Sequence, residues 1–171
     1  MTTIDQLPVF TDVDSNAHFI GNGQFGTVYA INQERGLAAK FLKAWYDSAY
    51  VFRPEHILLL NDEYQVVVEL YSAGISVPRP EGVFALTLPI YHCVPALVME
   101  HVKGKNYEQL SASEQATARQ LHALELDKVW ELGFVPDDQK PSKNCLYRLE
   151  EKRVIMFDFG QWDRRQTRVS R

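Results

Sequence analysis

The chain has 171 residues, 46% hydrophobic and 23% charged, so it is long enough to bury a core and too apolar for wholesale disorder. A formal net charge of −4 argues against bulk binding to nucleic acid or an anionic membrane, and no apolar run approaches the length of a membrane span. The opening MTTIDQLPVF lacks the basic start and apolar core of a secretory signal. Cys93 and Cys145 are too few for a disulfide framework and stand in apolar contexts that predict buried thiols, which suits a reducing compartment. The five histidines show no metal-ligand spacing.

The first distinctive stretch, IGNGQFGTVYAI at 20–31, carries glycines at Gly21, Gly23 and Gly26. The β-branched and aromatic run after Gly26, the turn residues NQERG and the second apolar run LAAKFLK predict a β-hairpin. A dinucleotide-binding fold would open a helix at the third glycine, and a P-loop would need Gly-Lys-Ser/Thr there, so both are excluded. Helical groupings of apolar residues predict a helix over 54–73, ending at Gly74. Two strands follow, in EGVFALTLP and PALVMEHVKG, the second breaking at Lys103-Gly104. A helix is predicted over 111–132, from a cap at Ser111 or Ser113 to a stop at Gly133. The remainder reads as a polar loop, a strand at 145–149, a turn at 150–153 and a strand at 154–157.

Five segments, in order from Ile20 to Gly160, resemble the protein-kinase-like superfamily in a short, atypical form, similar to RIO-type kinases and compact bacterial effector kinases. Gly21, Gly23, Phe25, Gly26 and Val28 match the glycine-rich loop that covers ATP phosphates. Lys40 stands where the family's strand lysine contacts the α/β-phosphates, and Glu63, favoured over Glu69, would be its helix partner. Met99, Glu100 and Val102 match the linker whose backbone reads the adenine edge. Asp138 and Lys140, in Asp-Gln-Lys-Pro, match the catalytic loop: the aspartate accepts the hydroxyl proton and the lysine steadies the γ-phosphate. Asn144, and Asp158 of Asp-Phe-Gly, would bind Mg²⁺.

The match departs from the family at three points. The usual His-Arg before the aspartate is missing, which removes the arginine that pairs with an activation-loop phosphate. The interval from Asp138 to Asn144 is one residue longer than usual, so either the loop bulges or Asp137 and Asp138 exchange roles. Only eleven residues follow Gly160, where the family continues with a substrate platform.

The resemblance therefore implies a two-lobed α+β fold, with an antiparallel first lobe and hinge over 1–102 and a truncated helical second lobe over 103–171. A ligand would lie in a cleft at the join. The activity it implies is transfer of the γ-phosphoryl group of ATP, with Mg²⁺, to a serine or threonine of a protein, in a cytosol or a host cytosol reached without a cleavable signal. An inactive nucleotide-binding module and a small-molecule kinase are the other readings. Each residue also has a plain structural reading: a tight hairpin for the glycines, an exposed charge for Lys40 and a common turn for Asp-Phe-Gly.

Overall fold

The computed structural model describes residues 3–23, 26–43, 54–88, 93–137 and 139–164. They form an α+β structure with a six-stranded, mostly antiparallel sheet, two helices and two smaller two-stranded sheets. The chain divides into two compact units: residues 1–65 with 79–101, and residues 66–78 with 102–171.

In the first unit the strands are β1 (Val9–Phe10), β2 (His18–Asn22), β3 (Gly26–Asn32), β4 (Leu37–Leu42), β5 (Pro80–Leu86) and β6 (Val94–Glu100). They lie in the order β1-β5-β6-β4-β3-β2, and only the β1–β5 pair is parallel. Pro80 is tolerated because β1 reaches only Ala85 and Leu86, leaving the start of β5 without a neighbour on that side. The turn between β3 and β4 uses Gly36 at φ +63°, as a tight reversal requires.

Residues paired across a sheet share a face. Gly21 pairs with Val28, Val28 with Lys40, Lys40 with Leu97 and Leu97 with Val83, so one row crosses the sheet. Val83 and Leu97 pack against Leu60 of the helix α1 (Pro54–Ser72), which therefore covers the face Lys40 points to. The opposite face buries Ile31, Leu37, Ala39, Phe41 and Val98 under Phe10, Val13 and Ala17 of the N-terminal segment. That segment is tied down by polar contacts: Asp14 N–H donates to Ile31 O at 2.8 Å, Asn32 Nδ2 to Asp12 O at 3.1 Å, and Arg35 pairs with Asp12 at 3.0 Å.

Helix α1 forms because Ile57, Leu60, Glu63, Val67 and Leu70 recur every three or four residues and make one buried stripe. Each apolar member contributes about 1.5–3 kcal/mol on full burial. The first part of the helix belongs to the first unit, and Val67 and Leu70 join the core of the second. Gly74, at φ +78°, ends it as the sequence predicts.

The second unit is built on α2 (Ala112–Glu131), capped by Ser111, whose hydroxyl accepts from Glu114 N–H while Glu114 reaches back to Ser111 N–H at 2.8 Å. Those hydrogen bonds and Lys105 hold the Glu114 carboxyl down at about 2. Strands β8 (Cys145–Arg148) and β9 (Arg153–Met156) form a hairpin, and β7 (Phe134–Val135) pairs with β10 (Asp163–Arg164). The β7–β10 pair is not predicted by the sequence, because two-residue strands carry no alternation to read. Trp162 packs edge-on to Phe159 at 4.8 Å. Cys145 is buried as expected, whereas Cys93 is exposed, since it sits at φ +43° just ahead of β6 with its side chain outside the apolar faces.

Candidate functional site

The first group of residues lies in the first unit. Gly23 N–H donates to Gly26 O at 2.8 Å, closing the β2–β3 turn, and Lys43 Nζ donates to Gly23 O at 2.7 Å. Lys43 is a contributor that sequence reasoning missed, since it follows Lys40 on the same run with no motif of its own. Phe25 lies outside the described residues.

The three glycines have different physical reasons. A Cβ on Gly26 would meet Phe41 O at 2.8 Å and Lys40 Cε at 3.1 Å, so the third glycine makes room for the lysine side chain itself. A Cβ on Gly21 would meet no atom within 4 Å, and its φ is not in the left-handed region, so neither packing nor backbone requires glycine there. Gly23 contributes through its backbone, as the donor of that turn bond, which asks for no particular side chain.

Lys40 Nζ donates to both carboxylate oxygens of Glu63, at 2.7 and 2.8 Å, with side-chain exposures of 8% and 3%. The register puts Lys40 on the helix-covered face, and the 3.6-residue period puts Glu63 on the stripe that covers it. Glu69 is instead half-buried and pairs with Arg164. A buried ion pair loses much of its Coulombic gain to desolvation, and a well-packed apolar pair would serve stability as well or better. Position and chemistry therefore ask for an explanation other than stability.

Along the end of β6, Met99 is half-buried against the α1 face and pairs with Ala38 and Pro80. Glu100 N–H donates to Arg79 O at 2.8 Å and His101 N–H to Gly36 O at 2.7 Å. The Glu100 amide, expected to face a ligand, is thus engaged by the protein, as is the amide of His101.

The second group lies in the second unit, in the loop before β8 and the residues after β9. Pro141 and Ser142 are the centre of a turn closed by Lys143 N–H to Lys140 O at 2.9 Å, with proline at its favoured place. This compact turn takes up chain length between Gln139 and Asn144. Tyr147 Oη donates to Pro141 O at 2.7 Å. Gln139 Nε2 donates to Phe157 O at 3.1 Å and its Oε1 accepts from Cys145 Sγ at 3.6 Å. Phe157 N–H donates to Asn144 O at 3.0 Å, bringing Asn144 beside the residue that precedes Asp158. Burial pushes the Cys145 thiol up to about 12 and raises Tyr147 above its ordinary range, so both remain protonated donors at neutral pH. Gln139 and Tyr147 were missed as loop-holding residues; only the strand's alternation hinted that Tyr147 faces inward.

Asn144 and Asp158 both have left-handed backbones, at φ +58° and +66°. This conformation is uncommon outside glycine and most tolerated by Asn and Asp. Lys140 is exposed, as is Asp137, and Asp138 lies outside the described residues. Among the described residues no group of three or more His, Cys, Asp and Glu could hold a metal ion. Mg²⁺ takes one or two carboxylates and completes its shell with water and phosphate oxygens, so Asp158 with Asn144 fits that ion and would not suit zinc.

No protein-family model matches the chain, and no curated protein sequence matches it. Among the described residues no helix is long and apolar enough to cross a membrane.

Proposed function

We propose that the chain is an ATP- and Mg²⁺-dependent phosphotransferase with a two-lobed, protein-kinase-like arrangement, acting on a hydroxyl group of a protein. The observation that carries this reading is the buried Lys40–Glu63 pair, on a row that also holds Gly21 and Val28. A lysine fixed by a carboxylate keeps its charge and its direction, which is what positioning phosphate oxygens requires. Gly21 supports the reading, because its missing side chain is not needed by the protein and gives a ligand close access to the backbone.

In this proposal Lys40 holds the α/β-phosphates and Glu63 fixes Lys40. Asp138 orients the acceptor hydroxyl and takes its proton, and Lys140 steadies the transferred group. Asn144 and Asp158 would hold Mg²⁺, which neutralises charge on the phosphate oxygens when bound. Their left-handed backbones support that role, since strained residues persist where the surroundings over-determine them. The absence of an arginine ahead of the catalytic loop leaves no partner for an activation-loop phosphate, so activity is expected without prior phosphorylation.

The test is transfer of labelled γ-phosphate from ATP with Mg²⁺ to the protein itself and to a cell lysate, run beside Asp158→Asn. Label on a discrete protein, lost in the variant, is the expected result. ATP binding without transfer to any protein or metabolite hydroxyl would replace the proposal with a nucleotide-binding module.

A further inference from the structure

A groove of about 710 Å³ lies within the second unit, between the end of α1, residues 74–77, α2 and the turn into β9. Its volume is in the range of sites that bind small ligands or peptide side chains. Three cationic residues line it, Lys128, Lys152 and Arg153, against one carboxylate, Glu125.

The charges are not equally available. Glu125 is 7% exposed, and its two oxygens accept from Ser76 N–H at 2.5 Å and Lys128 Nζ at 2.8 Å, so that carboxylate is already satisfied. Arg153 is oriented by Ser76 Oγ, to which Nε and Nη2 donate at 3.3 and 3.2 Å, and it lies 3.8 Å from the half-exposed Glu151. Lys152 follows a short turn at φ +51°, and its ammonium has no ion pair among the described residues. The unsatisfied charge of the groove is therefore positive.

Apolar surface borders it. Leu124 is 60% exposed and Tyr71 45% exposed, and both line the same groove. Single exposed apolar residues are ordinary, but two flanking an oriented guanidinium and an unpaired ammonium form a mixed surface of the kind peptides use. The edge of β9 is not open for strand addition at Met156, whose N–H donates to Ser76 O at 3.0 Å, so recognition here falls to side chains.

We propose that this groove binds an extended acidic segment of a partner protein, with carboxylates on Lys152 and Arg153 and an apolar side chain over Leu124 and Tyr71. Charge complementarity selects the occupant: a basic segment would add positive charge beside Lys152 and Arg153 while the lining carboxylate of Glu125 is already engaged, and a purely apolar one would bury Lys152 unpaired. The inference stands apart from the nucleotide reading and is tested without nucleotide.

The experiment is a fluorescence-anisotropy titration of the full chain with a labelled peptide of alternating Glu and Leu, beside its Lys-for-Glu counterpart, at low salt. The acidic peptide should saturate and the basic one should not. Lys152→Glu should weaken binding about tenfold, as expected for a charge-assisted contact. Leu124→Ser should weaken it severalfold, and Lys103→Glu, the same charge change outside the groove, should leave it unaltered. Lys152 and Leu124 are not core residues, so these variants are expected to melt like the parent chain. Equal binding of both peptides, or equal weakening by Lys152→Glu and Lys103→Glu, would overturn the proposal. Loss of peptide binding in a chain that still transfers phosphate would leave the nucleotide reading intact.

Discussion

The two groups of proposed functional residues are held in opposite ways. In the first unit Lys40 and Glu63 are fixed by burial: each charge is tolerated because the other is there, and the sheet and helix seal them together. In the second unit the segments carrying Asn144 and Asp158 are held through their main chain, by left-handed backbones at both residues and by hydrogen bonds to the carbonyls of Pro141, Asn144 and Phe157. The first arrangement couples chemistry to stability; the second allows a side chain to change while the loop stays in place.

That difference can be broken experimentally. Asp158→Asn should have the largest effect on activity, a drop of roughly 10³-fold, and a far smaller effect on melting temperature than Lys40→Ala, because asparagine accepts the same backbone. A variant that retained near-parent transfer would remove Asp158 from the site. Lys40→Ala should cost about 3–5 kcal/mol in urea unfolding by removing the two ammonium hydrogen bonds of the buried Glu63 carboxylate. The double replacement Lys40→Met with Glu63→Leu should recover most of that stability and none of the transfer. If both returned, the pair would be structural only.

The glycines sharpen the comparison further. Gly26→Ala should destabilise by about 1–3 kcal/mol, since its Cβ would press on Phe41 O. Gly21→Ala should leave unfolding unchanged and raise the KM for ATP, and equal effects at the two positions would deny Gly21 a ligand-facing role. The smallest effect concerns pH. His122 is 4% exposed, its Nε2 has no partner among the described residues, and burial lowers its pKa below the usual 6.5. Below pH 6.5 the unfolded chain gains a proton that the folded chain resists, so stability falls with pH from that value until the folded histidine titrates. His122→Gln should flatten that part of the stability profile.

Much of this was legible in the sequence for identifiable reasons. Both helices announced themselves through period and caps, and Ser111 with Glu114 is a capping box readable from spacing alone. The Lys40–Glu63 pairing was readable through the family resemblance, with helical period turning Glu69 elsewhere; β4 is buried almost throughout, so its pattern alone did not single out Lys40. The sheet order was not, since the return of β5 and β6 to opposite neighbours depends on contacts far apart in sequence. Nor were Lys43, Gln139 and Tyr147, whose roles come from backbone carbonyls that any sequence would offer. Cys93 shows the limit of local context: apolar neighbours in sequence did not bury it.

The cover over the far face of the large sheet has a practical consequence for anyone trimming this chain. The recognisable motifs start at Ile20, yet Phe10, Val13 and Ala17 shield Ile31, Leu37, Ala39 and Phe41, and Asp12 and Asp14 brace the adjoining turn. A version shortened to the motif boundary would bare an oily sheet and is expected to precipitate when expressed, although every residue of the proposed chemistry would still be present.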